Sequence, residues 1–427
     1  MKAEQKKLLI ISYYWPPSGG SGVQRWMYFA KYLKSSGWKP YILTVDENVA
    51  AYPVVDKSLL KEVASISTIR TQTREPLRWY SRINTASETA GIPQGAIQTK
   101  SLFGKFAAFI RGNFFIPDAR KGWRPYALKA AEDLIQKEGI QRVVTTGPPH
   151  STHWVGTQLK NKFGLKWIVD LRDPWVTLFY NKQLYRTLWA VNRDRSQEKA
   201  VLKNADAVLT TVAGNFHEYL KKIVPHQEYY AIPNGYDQDL IKSVSTDQLS
   251  EFHLVYTGLL TENQNYQTLI QVLKQLQSSH SICLSLAGQI HGEILTAFKK
   301  ELPNIQLKHY GYLPHKEAIR LMKSADLLLN FIFIGAQKDM ISGKLLEYIA
   351  TAIPILSIGD PNSEAGKFLK QGTAAAMFEA DQLDKIQRFV EKAIKGKGSL
   401  KNRFPDIENW SREALTKRLE RILLQLI

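Results

Sequence analysis

The sequence predicts an α/β protein built from two doubly wound parallel-sheet domains, and three observations carry that expectation. The first is length: 427 residues exceed one ordinary α/β core, and two domains of about 200 residues each are the natural division. The second is composition, since 44% hydrophobic and 11% aromatic residues can fill two cores and exclude a disordered chain. The third is an alternation of short β-rich runs with helical stretches that lapses near residues 236–251 and then starts again.

Taken in order, Leu8–Ser12 reads as a first strand, followed by a glycine-rich loop and a helix from about Gln24 to Ser35. Tyr41–Val45 and Ile66–Thr71 read as the next strands, and Arg142–Thr146, Trp167–Leu171 and Ala207–Thr211 resume the series. Helices such as Tyr126–Lys137 and Ala190–Lys203 lie between them. Ile232-Pro-Asn-Gly-Tyr-Asp237 is strong turn chemistry, and the polar stretch Ile241–Glu251 follows it. In the second half, His253–Tyr256, Ile282–Leu286, Ile305–Tyr310, Leu327–Phe331, Ile355–Ser357 and Ala375–Phe378 read as strands. Ser411–Leu426 is an amphipathic last helix. The expected division is 1–238, 239–408 and a C-terminal helix, 409–427, returning to the first domain. Asn204-Ala-Asp-Ala-Val-Leu and Ser324-Ala-Asp-Leu-Leu-Leu echo one another, each carrying a helix end into a strand.

Residues 74–124 interrupt the alternation with a basic and aromatic insertion, in which Arg74, Arg78, Arg82, Lys100, Lys105 and Arg111 outweigh Glu75 and Glu88. Its Ser101–Phe115 portion has the composition of an amphipathic helix at a membrane interface, and a core-packing helix with a surface loop is the equal alternative. The chain as a whole carries a net charge of +18, which draws it to polyanions or to an anionic membrane surface. A nucleic-acid partner is not expected, because no helix-turn-helix, zinc-finger or RNA-recognition signature is present. The lone cysteine, Cys283, forms no internal disulfide and suits a reducing compartment. The N-terminal apolar run reads as a strand and not as a signal peptide, and no stretch is long enough to span a bilayer. A cytoplasmic protein is expected, with the inner face of the membrane as a place of attachment.

Three constellations can carry chemistry. Pro16–Arg25 contains Gly19, Gly20 and Gly22 between a strand and a helix, so its amides can face an anion, although a tight turn with no ligand explains the same residues. Ile341–Leu356 places Lys344 and Glu347 on one face of a helix beginning near Ser342. Lys344 could neutralise a phosphate and Glu347 could take both hydroxyls of a ribose; a solvated ion pair between the two is the bland alternative. Thr145-Thr-Gly-Pro-Pro-His-Ser-Thr-His153 lies past a strand's C-terminal end, where open α/β sheets bind ligands. There His150 or His153 could orient an acceptor hydroxyl. Asp170-Leu-Arg-Asp-Pro-Trp175 ends the next strand, and an Arg172–Asp173 ion pair bracing the loop would explain it equally well. Asp237-Gln-Asp239 resembles a metal-binding Asp-x-Asp but sits in the linker and reads as a turn. Gly-x-Ser-x-Gly is absent, so hydrolase chemistry has little support.

Taken together in this order, these segments resemble glycosyltransferase family 4, the retaining family of the GT-B fold, over nearly the whole chain. The further motifs are Tyr-Trp-Pro-Pro-x-Gly-Gly, Ile-Pro-Asn-Gly-Tyr-Asp, Tyr256-Thr-Gly258 and Gly311-Tyr-Leu-Pro-His-Lys-Glu-Ala through Asp326. The resemblance implies two Rossmann-like domains facing a central cleft, with a nucleotide-diphosphate sugar held mainly by the second. The base would lie near Gly311, Tyr312 and Leu313 and the ribose on Glu347. The diphosphate would lie between the helix opened by Ser342, Gly343 and Lys344 and the Gly19–Gly20 loop. Gly258 and Asp339 complete the donor set, and His150, His153, Arg172 and Asp173 form the acceptor side. The acceptor would be a glycan or lipid-linked sugar, as in cell-surface polysaccharide synthesis. No metal and no other cofactor is implied.

Three departures stand out from the family pattern. Asp339 occupies the place of a glutamate eight residues before Glu347, and the loop after Tyr256-Thr-Gly lacks the usual diphosphate-binding Arg and Lys, for which Lys344 or Lys338 could substitute, weak donor binding being the alternative. His150 also comes later after its strand than the acceptor-side histidine usually does. A nucleotide-sugar epimerase on the same fold, or a non-catalytic basic scaffold at a membrane, is the competing reading.

Overall fold

The computed structural model describes residues 5–74, 102–178, 181, 184–335 and 341–426. The chain forms two compact units, Met1–Pro233 with Leu415–Ile427, and Asn234–Ala414. Each is a parallel sheet wrapped by helices, so the expected α/β architecture of two Rossmann-like domains is what the chain adopts.

In the first unit the strands are β1 (Lys7–Ile11), β2 (Lys39–Val45), β3 (Ser67–Thr71), β4 (Arg142–Gly147), β5 (Lys166–Leu171), β6 (Ala207–Thr210) and β7 (Tyr229–Ala231). They lie in the order β3-β2-β1-β4-β5-β6-β7, all parallel, with Leu9 of β1 opposite both Tyr41 and Val143. Helices cover both faces of the central strands, which accounts for their near-continuous apolar runs. The short strand β7 has no counterpart in the sequence reading. Its three half-buried residues at a sheet edge carry too little pattern to stand out from the turn that follows.

Along the C-terminal helix Arg412–Gln425, Leu415, Leu419 and Leu423 recur at helical spacing. They join Trp26, Phe29 and Leu33 of the Ser21–Ser35 helix in the core of the first unit. Trp38 Nε1 donates to Glu420 Oε1 at 2.8 Å on the same contact.

In the second unit β8 (Phe252–Thr257), β9 (Ile282–Ala287), β10 (Gln306–His309), β11 (Leu327–Phe331), β12 (Ile355–Ile358) and β13 (Ala375–Phe378) form one parallel sheet in the order β10-β9-β8-β11-β12-β13. The echoed Ala-Asp dipeptides have one physical role in both units. Asp206 Oδ2 accepts the Trp167 N–H at the start of β5 at 2.8 Å, and Asp326 Oδ2 accepts the His253 N–H in β8 at 2.9 Å. Each carboxylate thus locks the start of one strand against the next.

Two linker and insertion readings take definite form. Asp237 is an N-cap, not simply a turn residue: its side chain accepts the Leu240 N–H at 3.0 Å and starts the short helix Gln238–Ser243. Leu102–Phe114 is a helix, while Glu75, Arg78, Arg82, Glu88 and Lys100 lie outside the described residues. Among the described residues no helix is long and apolar enough to cross a membrane.

Candidate functional site

In open parallel sheets ligands gather beyond the C-terminal ends of the strands where the strand order reverses. In the second unit that point lies between β8 and β11. The loop after β8 begins Tyr256-Thr257-Gly258, and the Gly343–Ala350 helix follows β11, so two of the sequence motifs converge on one switch point. The Tyr348 hydroxyl accepts the Thr257 N–H at 2.9 Å, tying the helix to the end of β8. Gln264 joins the two strands, donating to Phe331 O at 3.0 Å and to the Tyr256 hydroxyl at 3.3 Å.

Lys344 is the charge at this point. Its Nζ lies 4.0 Å from the centre of the Tyr256 ring, and the side chain runs past Gly258, where an added Cβ would stand 3.7 Å from both Cδ and Nζ. Gly258 has φ +121°, a conformation that L side chains rarely adopt, so the backbone requires the glycine, while a Cβ there would be in ordinary contact with Lys344. Among the described residues Lys344 has no carboxylate partner, and burial lowers its ammonium to about 7. The ion pair with Glu347 allowed by the spacing is therefore not formed.

Glu347 is buried and held from elsewhere. Its Oε1 faces His315 Nε2 at 2.8 Å and accepts from Arg412 NH2 at 3.2 Å. Burial opposes its charge, but His315 and then Arg412 outweigh it and bring the carboxyl below its usual value. Both contacts use Oε1, so among the described residues Oε2 has no protein donor. Neither anchor was singled out from sequence: His315 lies 32 positions away and Arg412 65, and only the fold brings them together.

The remaining donor-side residues divide. Ser342 caps the Gly343–Ala350 helix with extended backbone, and its buried hydroxyl has no partner among the described residues. Gly311, at φ +63°, makes the turn after β10 and accepts the Gly288 N–H at 2.6 Å. Tyr312 is exposed beside it, whereas Leu313 packs on the core of the unit. Asp339 and Lys338 lie outside the described residues.

The first unit has its own switch point, between β1 and β4. The glycine loop after β1 is pinned by Gly19 N–H to Val54 O at 2.9 Å, and Gly20, at φ +96°, opens the Ser21–Ser35 helix. At Gly22 an added Cβ would stand 2.0 Å from Arg172 NH1, so the guanidinium would have to shift to make room. Arg172 donates to the carbonyls of Gly147 and Pro148, bracing the loop after β4. It forms no ion pair with Asp173, which stands half-buried without a hydrogen bond among the described residues, its carboxyl raised by burial.

The two histidines expected on the acceptor side are both buried. His153 is fully buried on the Thr152–Phe163 helix, 2.9 Å from Thr145 Oγ1 through Nδ1, and burial holds its imidazolium down to about 3. His150 stacks on Trp175 with ring centres 4.7 Å apart, and burial, with His153 and Arg172 nearby, keeps it neutral. Asp170 is a framework residue, accepting from Arg25, from Trp26 Nε1 at 2.7 Å and from Thr146 Oγ1 at 2.8 Å. Arg25 also donates to Ile232 O at 2.6 Å, so the buried pair holds β4, β5, the first helix and the end of the unit together. The sequence offered both residues within its motifs but no sign of this partnership.

No family model matches the chain, and no curated protein matches it either. Solved structures do match over the whole length. Sucrose-phosphate synthase from Thermosynechococcus elongatus superposes with a TM-score of 0.68 at 14% identity, covering 99% of each chain. A glycosyltransferase from Rickettsia africae gives 0.60 at 13% identity, again covering 99% of each chain. HepE from Anabaena in complex with UDP gives 0.62 at 11% identity, covering 98% of this chain and 100% of its own. At these identities the likeness is one of fold, the two-domain GT-B architecture.

Proposed function

We propose that this chain is a retaining glycosyltransferase of family 4 that moves a sugar from a nucleoside-diphosphate sugar to a glycan or lipid-linked acceptor. The observation that carries the reading is the pairing, at one switch point and among the described residues, of an ammonium without a carboxylate partner and a carboxylate whose Oε1 is anchored and whose Oε2 meets no donor. A diphosphate gives Lys344 a counter-charge, and a ribose diol gives donors to Glu347 Oε2. The complexes of the Anabaena neighbour with UDP and with UDP-glucose support the same ligand class for this fold.

In this mechanism the protein acts through placement and charge. Lys344 and the N-terminus of the Gly343–Ala350 helix stabilise negative charge as it develops on the departing diphosphate, without a metal. Glu347, fixed by His315 and Arg412, sets the position of the nucleotide and hence of the anomeric carbon. The leaving phosphate takes the acceptor's proton on the same face, which preserves the anomeric configuration. Asp173, past the end of β5 and without an ion pair among the described residues, is the group we assign to orienting an acceptor hydroxyl.

A panel of UDP-, GDP- and dTDP-sugars tests the reading through binding and slow hydrolysis. One member binds, and Glu347→Ala weakens it by at least tenfold. Failure of the wild-type protein to bind or hydrolyse any member sinks the proposal. Turnover to an epimeric nucleotide sugar without acceptor would assign the site to epimerisation instead.

A further inference from the structure

Ten large hydrophobic side chains stand exposed among the described residues, and six of them belong to one place in the first unit. Phe106, Phe109 and Phe114 project from the Leu102–Phe114 helix, Leu188 and Trp189 from the start of the Leu188–Asn204 helix, and Tyr185 from the segment just before it. Leu188 is 82% exposed, and Phe106, Phe114 and Trp189 are each more than 60% exposed. Isolated exposed apolar residues are ordinary, but a contiguous group of this kind marks a binding surface.

The two helices are fixed to each other, so the group is held in place. Asn113 Oδ1 accepts the N–H and the hydroxyl of Thr187, each at 2.7 Å, and its Nδ2 donates to Tyr185 O at 3.2 Å. Gly112 allows the approach, since a Cβ there would lie 2.5 Å from Leu184 O. Thr187 in turn caps the second helix through Ala190 N–H. The aromatic groups therefore face outward from a hydrogen-bonded seat.

Charge identifies what covers them. The first helix has no acidic residue, and both acids of the second are turned inward. Asp194 is taken up by Trp175 Nε1 and Arg186, and Glu198 by the Tyr219 hydroxyl. The charges left exposed on the two helices are Lys105, Arg193, Arg195, Lys199 and Lys203, all positive. Arg193 lies 5.7 Å from the centre of the Trp189 ring.

We infer that this helix pair docks onto the surface of an anionic phospholipid bilayer, with Phe106, Leu188 and Trp189 entering the interface and the basic side chains meeting lipid phosphates. Leu188, the most exposed of the group, has no ring to stack on a nucleobase and gains only from an apolar phase, which favours lipid over nucleic acid. The inference does not rest on the glycosyl-transfer reading.

The test is co-sedimentation of the full chain with phosphatidylcholine vesicles, with and without phosphatidylglycerol. The protein binds the anionic vesicles and leaves them at high salt. Lys105→Gln and Arg193→Gln each lower partitioning about fivefold, and the double variant Phe106→Ser/Leu188→Ser abolishes it. Brominated lipid quenches part of the tryptophan emission, and Trp189→Phe removes that part while thermal unfolding is unchanged. Equal binding to neutral and anionic vesicles overturns the inference, as does wild-type binding by Phe106→Ser/Leu188→Ser. A dimer that Leu188→Ser dissociates, or preference for an RNA oligomer over anionic vesicles, overturns it as well.

Discussion

The state of Lys344 leads to a pH dependence of donor binding whose sign and size can be worked out. Burial lowers the ammonium to about 7, and among the described residues the Tyr256 ring faces it and no carboxylate does. A bound diphosphate brings two negative charges to that position and raises the pKa again, so the ligand selects the protonated lysine. Binding therefore takes up a proton above pH 7. The protonated fraction of the free protein is about 0.9 at pH 6, 0.1 at pH 8 and 0.01 at pH 9, from a titration centred near 7. Affinity should fall roughly tenfold from pH 6 to 8 and roughly a hundredfold from pH 6 to 9. The ligand should be an intact nucleotide sugar, because its diphosphate diester does not titrate in this range. Isothermal calorimetry in buffers of different ionisation enthalpy should show nearly one proton taken up per ligand at pH 8. Lys344→Met should bind more weakly and without this slope. Constant affinity from pH 6 to 9, or the same slope in Lys344→Met, would refute the assignment of the diphosphate charge to Lys344 while leaving nucleotide binding itself intact.

Three further outcomes follow from the geometry. His315→Ala removes one of the two anchors of Glu347 Oε1, so the donor KM should rise about tenfold with a smaller change in kcat; an equal fall in kcat at unchanged KM contradicts a positioning role. Asp170→Asn leaves the fully buried Arg25 without its counter-charge and should cost about 3–5 kcal/mol in urea unfolding; a loss under 1 kcal/mol shows that the pair does not brace the first unit. His153 stays neutral in the fold to about pH 3 but titrates near 6.5 once unfolded, so the unfolded state binds the extra proton between those values. Stability should decline as pH falls through that window, by on the order of 4 kcal/mol at its lower end, and His153→Gln should flatten that limb of the curve.

What was legible in the sequence was what repeats along it. The central strands could be read because they are short apolar runs buried on both faces, and the Lys344–Glu347 helix because apolar residues recur around it. What was not legible depends on neighbours distant in the chain. The spacing of Lys344 and Glu347 is compatible with an ion pair, yet His315 and Arg412 hold the carboxylate and an aromatic ring faces the ammonium. A histidine in a Gly-Pro-Pro-His-Ser-Thr-His loop gives no sign of its burial, but His153 falls on the inner face of a helix whose start the loop conceals. The aromatic insertion was visible from Ser101 to Phe115, whereas its companions Leu188 and Trp189 lie on a helix whose sequence reads as ordinary and polar.

The missing diphosphate cations after Tyr256-Thr-Gly258 have the same explanation. A reader following the chain looks for them in the loop that leaves β8, and that loop contains none. At a switch point, however, the spatial neighbour of that loop is the helix that follows β11, because β8 and β11 are adjacent in the sheet. Lys344 enters from that helix and runs along Gly258, where a larger residue would meet its side chain. In the proposed donor site Lys344, reaching in from the helix, takes the charge that the family pattern gives to an Arg and a Lys in the loop. Replacing Lys344 should therefore impair turnover at least as much as replacing Glu347, since the former loss falls on the departing charge and the latter mainly on ground-state binding. If Lys344→Ala proves the milder of the two, the leaving group is held by another cation.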